Sequence, residues 1–174
     1  MLSNLIDIEE ASVHAACASD SGGAVFFDFA AAFPSVERPF LMAVFRSLGW
    51  PSLLLNFIEV LYNDNYCEMV IDGARYRGFV IDRGIRQGCP LSPFLFAVAS
   101  DLLLRKLVRD LPSGTTRAYA DDTAYVDPML LDHLGALETI FSEYAEISGL
   151  ELNVRKTVLV PLGRLSHQQM REQL

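Results

Sequence analysis

The sequence predicts an α+β fold in which helices pack on one face of a mainly antiparallel sheet. The 174 residues are 51% hydrophobic and 21% charged, which suits one globular domain with a buried core. Segments with helical periodicity alternate with short β-prone runs, and no repeat or low-complexity tract divides the chain. Asp72-Gly73 lies between two such runs and is a strong signal for an antiparallel hairpin.

Each predicted element follows from local signals. Residues 4–17 carry apolar positions at helical spacing, and residues 24–29 are apolar enough for a buried strand. Gly49 ends one predicted helix, and Pro51 begins the next. The later elements are predicted as helices over 37–48 and 51–62, strands over 66–71 and 75–81, a buried helix over 91–108, strands over 116–120 and 123–126, a helix over 130–147 and a strand over 157–160.

The net charge of -8 argues at first against a nucleic-acid partner, because phosphate binding usually rests on an excess of Lys and Arg. Basic residues are unevenly distributed, however, and Arg75, Arg77, Arg83 and Arg86 fall in one short stretch. Part of the negative charge would also be offset if some aspartates bind cations. We therefore expect the chain to be one part of a larger assembly whose basic parts lie elsewhere.

The cysteines and apolar runs indicate the compartment. Cys17, Cys67 and Cys89 share no close spacing, so neither a disulfide framework nor a zinc site is predicted. No signal-peptide pattern opens the chain, and acidic residues interrupt its longest apolar runs. These features predict a soluble, intracellular protein with no membrane partner, in either the nucleus or the cytoplasm.

Three aspartates stand out by their position. Asp28 follows an apolar strand, where a buried carboxylate is costly unless it is paired or bound to a metal ion. Asp121 and Asp122 are adjacent between two β-prone runs, and a divalent cation would relieve their repulsion. Simpler interpretations are that Asp28 caps the next turn and that the pair forms a solvated hairpin tip.

The combination of these aspartates is more specific than any one of them. A strand-end carboxylate beside a pair on a neighbouring hairpin would make an all-oxygen site for two Mg²⁺ ions about 3.5 to 4 Å apart, as phosphoryl-transfer enzymes require. We expect Mn²⁺ to substitute for Mg²⁺ at such a site.

Four motifs carry a family resemblance. In chain order they are FDFAAAFPSV at 27–36, RQGCPLSPFLF at 86–96, YADD at 119–122 and GLELNVRKT at 149–157. Together they resemble the palm region of reverse transcriptases (RNA-directed DNA polymerases) of the non-LTR retrotransposon, or LINE-like, type, over about residues 4–161. The second motif is closer to non-LTR elements than to group II intron or retroviral enzymes. The resemblance implies a polymerase palm and RNA-templated DNA synthesis.

The resemblance also implies catalytic roles. Asp28 and Asp121 would bind both metal ions, and Asp122 would be a weaker ligand or an electrostatic partner. One ion would lower the pKa of the primer 3′-hydroxyl, and the other would orient the deoxynucleoside triphosphate (dNTP). Lys156 would stabilise charge or donate a proton at the leaving pyrophosphate, although an exposed lysine is most often only a solvated charge.

Other matched residues would contact the substrate, and these are Phe29, Ala30, Ala31, Ala32, Phe33, Arg86, Gln87 and Gly88. Main-chain amides of residues 29–33 would meet phosphate oxygens, and the small alanines would permit a close approach, although they also suit a helix. Phe33 would exclude a ribose 2′-hydroxyl, or be an ordinary core residue. Gln87 and its neighbours would line the nucleotide or template base, or simply lead into a helix.

The sequence departs from the family upstream of Asp28, where the fingers motifs have no counterpart. We expect residues 1–174 to form a single partial domain, with residues 1–20 as a leading helix and turn, the fingers mostly absent and the thumb absent. Pro34 also follows Phe33 where many relatives carry Asp. Polymerisation by this chain alone is therefore expected to be weak or undetectable.

The resemblance implies partners as well. These would be an RNA template with a DNA primer, dNTPs, and the fingers and thumb of a larger polyprotein, with an endonuclease domain as a further candidate. Three alternatives stay open at this point: a nonenzymatic retroelement-derived remnant that binds RNA or protein, the palm of an RNA-dependent RNA polymerase, and an acidic interaction domain.

Overall fold

A computed structural model describes residues 2–163, and most helices and strands coincide with predicted segments. The helices are α1 (Leu2–Ala18), α2 (Ala32–Ser35), α3 (Arg38–Ser47), α4 (Ser52–Tyr62), α5 (Ser92–Asp110) and α6 (Leu130–Ser148). The strands are β1 (Gly23–Phe27), β2 (Tyr66–Ile71), β3 (Ala74–Val80), β4 (Thr115–Tyr119), β5 (Asp122–Asp127) and β6 (Val158–Pro161). Only α2 has no predicted counterpart, because a single helical turn is too short to show periodicity. Within the described residues, no helix combines the length and apolarity needed to cross a membrane.

A four-stranded antiparallel sheet in the order β4-β5-β1-β6 forms the centre of the fold. Strand β1 lies between β5 and β6, and Ala24 is opposite both Val126 and Val160. Among residues 2–163, β2 and β3 pair with each other alone, as a separate hairpin. The predicted α+β class with an antiparallel sheet is confirmed, and the hairpin is a second, smaller sheet.

Alternation along β1 sends its side chains to two faces of the sheet. Val25 and Phe27 face the main core, which also contains Leu103 of α5 and Phe141 of α6. On the opposite face, Ala24 belongs to a smaller cluster with α1 residues. Helices α5 and α6 pack on the main-core face, with α3 against them, as predicted. Helix α1 covers the other face, so the prediction that the helices lie on one face of the sheet is wrong for α1.

The β2–β3 hairpin depends on a left-handed turn. Asp72 and Gly73 have φ values of 50° and 78°, which suits the two central residues of a type I′ turn. Large apolar side chains such as Val70 and Phe79 are 66% and 69% exposed. The predicted hairpin is confirmed, and its residues are mostly exposed.

Candidate active site

Asp28 lies at the end of the central strand β1, one residue beyond Phe27. Phe27 pairs with Thr123 in the last pair of this ladder, and continuing the register by one position would set Asp28 across from Asp122. The Asp28 side chain is 34% exposed, yet its Oδ2 atom is buried and accepts no hydrogen bond from any of the described residues. A buried carboxylate oxygen in this state is unfavourable unless a cation neutralises it.

The β4–β5 hairpin carries the other two aspartates at its tip. Tyr119 pairs with Asp122, so Ala120 and Asp121 form a two-residue turn. Ala120 has a left-handed φ of 54°, which costs a non-glycine residue about 1 kcal/mol. Asp121 and Asp122 are both exposed. The turn is therefore locally strained and presents two carboxylates to solvent, next in register to the end of β1.

Lys156 lies beside Asp28. Its Nζ atom is 3.7 Å from Asp28 Oδ2, and its side chain is 70% exposed. The fourth motif is attached to the end of β1 by main-chain hydrogen bonds, since the N–H of Asn153 donates to the carbonyl of Asp28 at 2.8 Å, and the N–H of Ala30 donates to the carbonyl of Glu151 at 2.8 Å. This motif extends the sheet past β1 and brings an ammonium group to the carboxylates.

The segment after Asp28 turns sharply into α2. Ala31 adopts a left-handed conformation, with φ 49° and ψ 51°. Phe29 and Ala32 are buried in the main core, so packing explains their side chains. The N–H of Ala30 already donates to the carbonyl of Glu151, so a phosphate oxygen would have to compete for this amide, and the predicted contact stays a prediction. The contacts predicted for the other amides stay predictions.

Phe33 is half-buried at the edge of the core. Its ring stacks on that of the buried Phe96, with centroids 4.6 Å apart and an interplanar angle of 24°. Its carbonyl accepts a hydrogen bond from the N–H of Ile85 at 2.7 Å. One part of the side chain thus packs in the core while another part stays accessible. This is compatible with exclusion of a ribose 2′-hydroxyl and also with an ordinary core role for Phe33.

The loop before α5 carries Arg86, Gln87 and Gly88, which are all exposed. Gly88 has a φ of 81°, and no atom lies within 4 Å of the position a Cβ would take, so its conformation and not crowding favours glycine. The guanidinium of Arg86 donates to Asn65 Oδ1 and lies 5.7 Å from the ring centre of Tyr62. No sequence pattern singles out Tyr62 and Asn65, because the loop residues that they contact are distant in sequence.

The basic stretch does not form a free cationic surface. Three of its arginines pair with exposed carboxylates, and these pairs are Arg75–Glu68, Arg77–Asp64 and Arg83–Glu37, at 3.2, 3.2 and 3.7 Å. Exposed pairs of this kind contribute little to stability, so a phosphate backbone could displace the carboxylates. A phosphate backbone would therefore have to compete with these carboxylates for the three arginines.

The aspartates do not form a complete protein cage for a metal ion. Within residues 2–163, no three His, Cys, Asp or Glu side chains converge closely enough to hold an ion. The donor set nevertheless suits Mg²⁺, which prefers carboxylate oxygens and usually binds through one or two of them together with substrate phosphates and water. Oδ2 of Asp28 is buried without a hydrogen-bond donor among residues 2–163, and the Lys156 ammonium, 3.7 Å away, lies too far to donate one.

Comparisons of sequence identify the family. The sequence profile described as "Reverse transcriptase (RNA-dependent DNA polymerase)" matches residues 4–170. A "Retrovirus-related Pol polyprotein from type-1 retrotransposable element R2" of Popillia japonica is 27% identical over 150 residues, which cover 82% of this chain and 25% of that protein. The corresponding type-2 R2DM polyprotein of Drosophila melanogaster is 28% identical over 138 residues, or 76% of this chain and 13% of that protein. The chain thus spans a quarter or less of these relatives.

Comparison of structures agrees on the fold. A structure of telomerase from Candida tropicalis, in complex with the TWJ fragment of telomeric RNA, has a TM-score of 0.65 over 80% of this chain and 26% of that chain, at 13% identity. An identity this low concerns the fold alone, which is of the polymerase palm type. The family carries out RNA-templated DNA synthesis and generally uses divalent metal ions. The profile match, together with the non-LTR retrotransposon relatives, shows that this chain belongs to the reverse transcriptase family of RNA-directed DNA polymerases.

Proposed function

We propose that the chain supplies the palm of a non-LTR retrotransposon reverse transcriptase and transfers nucleotides from dNTPs to a primer 3′-hydroxyl on an RNA template. Fingers and thumb would come from the rest of a larger polyprotein. The main support is the register of β1 and β5, which ends at the pair Phe27–Thr123; continued by one position, it would set Asp28 beside Asp122, with Asp121 in the adjoining turn. The buried Oδ2 of Asp28, which has no donor among the described residues, adds to it.

The three aspartates would hold two Mg²⁺ ions. These ions would supply Lewis-acid chemistry at the primer hydroxyl and the triphosphate. The tight turn at Ala120 keeps Asp121 and Asp122 at the surface, where a substrate can reach them. Lys156, 3.7 Å from Asp28, offsets negative charge at the site and is exposed enough to meet a pyrophosphate.

A nonenzymatic remnant that binds RNA or protein is the second candidate function. The pairing of Arg75, Arg77 and Arg83 with carboxylates favours it, because a template would have to displace these carboxylates before the arginines could hold it. Phosphate contacts supply most of the affinity for nucleic acid, so weak polymerisation by this chain alone is expected under either function. Metal binding is therefore a better first test than primer extension.

Calorimetric titration of Mn²⁺ in the presence of dTTP tests the proposed function. We expect Asp28→Asn and Asp121→Asn each to weaken Mn²⁺ binding more than about tenfold, because each removes a charged oxygen ligand. Asp101→Asn, which changes an aspartate paired with Arg105 on α5, is the matched control and should bind as the parent does. Equal affinities in all four proteins would contradict the metal site and favour the remnant.

Sugar selection by Phe33 can be measured by binding alone. In Phe33→Val, a ribose 2′-hydroxyl gains room, so the preference for dATP over ATP should fall by about tenfold. Phe79→Val, at an exposed ring on the hairpin, is the control and should leave the preference unchanged. A thermal melt shows whether loss of the Phe96 stacking has unfolded the variant. An unchanged preference in folded Phe33→Val would mean that Phe33 is a core residue alone.

A further inference from the structure

Arg38, at the start of α3, joins three segments around the 83–88 loop, which precedes α5. Its Nη1 donates to the carbonyl of Tyr62 at 3.1 Å, its Nε to the carbonyl of Gly84 at 3.3 Å and its Nη2 to the carbonyl of Arg83 at 3.3 Å. All three guanidinium nitrogens thus bind main-chain oxygens. Arg38 lies outside the four motifs, and none of the roles proposed above involves it.

Tyr62 contacts both Arg38 and Arg86 and so connects the two arginines. The centre of its buried ring is 5.0 Å from Arg38 Cζ and 5.7 Å from Arg86 Cζ, so both guanidinium groups are within range of a cation–π interaction. Its hydroxyl accepts a hydrogen bond from the main-chain N–H of Arg86 at 3.3 Å. Arg86 also donates to Asn65, and its carbonyl accepts from the hydroxyl of Ser92. Main chain and side chain of Arg86 are therefore both held.

The 83–88 loop is also hydrogen-bonded, through two of its main-chain N–H groups, to the segment that contains Phe33. The N–H of Gly84 donates to the carbonyl of Val36 at 2.8 Å, and the N–H of Ile85 donates to the carbonyl of Phe33 at 2.7 Å. Gly84 has a φ of 87°, and a Cβ there would lie 2.6 Å from the carbonyl oxygen of Pro34, so the two segments touch main chain to main chain. A movement of the loop would therefore disturb Phe33.

Only an arginine can make this set of contacts. Its planar fork carries five N–H donors in fixed directions, whereas a lysine ammonium is a point charge on a flexible stem. Burial lowers the pKa of Arg38, and the neighbouring Arg86 does so too, while Tyr62 and Asp82 raise it; the guanidinium stays charged at any pH the fold tolerates. Hydrogen bonds from a charged donor are about twice as strong as neutral ones.

We propose that Arg38 is a positioning residue for nucleotide binding: with Tyr62 it holds Arg86 and Gln87 of the 83–88 loop against the Phe33 segment. The base and sugar of an incoming dNTP then meet a surface that is already ordered, which reduces the cost of binding. The role toward the nucleotide rests on the proposed function. The anchoring of the 83–88 loop by Arg38 and Tyr62, called the clamp below, does not depend on the proposed function. The clamp and the positioning role can therefore be tested separately.

Amide hydrogen exchange tests the clamp in this chain without any activity. In Arg38→Met, exchange of the loop amides should accelerate at least about tenfold, because three charge-assisted hydrogen bonds are lost, two of them to loop carbonyls. In Tyr62→Phe, acceleration should be confined to the amide of Arg86. Arg46→Met is the matched control, since Arg46 also links α3 to α4, through Glu59 at 2.6 Å, and its side chain makes no hydrogen bond or ion pair with the 83–88 loop.

Exchange in β1 and β5 reports whether each variant is folded. If Arg38→Met is folded and its loop amides exchange at the parental rate, the clamp is disproved. If Arg38→Met loses protection throughout, Tyr62→Phe decides, and a parental rate at the amide of Arg86 then overturns the clamp. If the loop amides exchange as fast in Arg46→Met as in Arg38→Met, the clamp is also overturned. Any weakening of α3 would then be enough to speed exchange in the loop.

Titration of dTTP in the presence of Mn²⁺ tests the positioning role. Arg38→Lys keeps the charge but not the fork, and we expect its affinity for dTTP to fall about fivefold or more while its affinity for Mn²⁺ alone stays parental. Parental dTTP affinity in a variant whose loop exchanges rapidly would refute positioning. A parent chain that binds neither Mn²⁺ nor dTTP would instead refute the proposed function, and the exchange data would still decide the clamp.

Discussion

Asp127→Asn is expected to lower the free energy of unfolding by about 3 kcal/mol or more. Asp127 is 0% exposed, and its carboxylate accepts hydrogen bonds from Ser113, from Tyr125, from His133 at 2.7 Å and from the N–H of Met129 at 2.9 Å. An asparagine would place an N–H₂ group against hydrogen-bond donors. At least one buried donor would then lose its partner, at a site remote from the proposed chemistry.

The pH dependence of this effect has a definite sign. Burial alone would raise the pKa of Asp127, but the hydrogen bonds from Tyr125, Met129, His133 and Ser113 outweigh burial and lower it. A carboxyl group whose pKa is lowered by folding stabilises the fold above its unfolded pKa, about 3.9, and loses that contribution as the pH falls through the folded value. The difference between parent and Asp127→Asn should therefore shrink at pH values below about 4.

Urea unfolding of both proteins at pH 7 and pH 3.5 measures these differences. Asp101→Asn is the control, because its exposed i,i+4 pair with Arg105 contributes about 0.3–0.5 kcal/mol. A change in Asp127→Asn no larger than in Asp101→Asn would show that the buried network contributes little. A difference that stays constant down to pH 3.5 would contradict the lowered pKa but not the network.

Local signals predicted most elements of this fold. Asp72-Gly73 predicted the type I′ hairpin, and Gly149, with its left-handed φ of 77°, ends α6 as expected of a glycine that follows a helix. The carboxylates at the end of β1 and the tip of the β4–β5 hairpin follow from the same local reasoning, because each lies where a strand stops. Their proximity needed the strand order, which periodicity does not contain.

Contacts between distant segments were beyond sequence reasoning. The periodicity of α1 predicts a helix but not the face of the sheet that it covers. The amide of Ala30 looked free for phosphate, yet it bonds to Glu151, which lies more than a hundred residues later. Arg38 looked like an ordinary basic residue at a helix start, and its importance depends on carbonyls from two other segments. Hydrogen-bond partners of this kind are visible only after folding.

The second large effect is expected for Gly149→Ala, which should lower the free energy of unfolding by about 2–3 kcal/mol. A left-handed φ of 77° costs a non-glycine residue about 1 kcal/mol. In addition, a Cβ there would overlap the carbonyl oxygen of Ser35 and lie 3.1 Å from Cγ of Glu37. Because the clash is with main chain, the two segments must separate.

Alanine substitutions at two other glycines distinguish the cost of the left-handed φ from the cost of the clash, when stability is measured by thermal or urea unfolding. Gly73 has a φ of 78° and no atom within 4 Å of its would-be Cβ, so Gly73→Ala should cost only the conformational strain, about 1 kcal/mol. Gly135 lies inside α6, also without a contact, and Gly135→Ala should stabilise the fold by about 0.5–1 kcal/mol. Equal losses in Gly149→Ala and Gly73→Ala would show that Ser35 moves away freely.

The clash at Gly149 also bears on the carboxylate site, since the chain runs from Gly149 directly into the segment that bonds to Asp28 and Ala30. If that segment moves away from β1, Lys156 moves with it, and the carboxylate of Asp28 becomes more exposed. The affinity of folded Gly149→Ala for Mn²⁺ should then differ from that of the parent, whereas Gly73→Ala should have the parental affinity. Parental Mn²⁺ binding in a destabilised Gly149→Ala would mean that the fourth motif supports the fold without shaping the metal site.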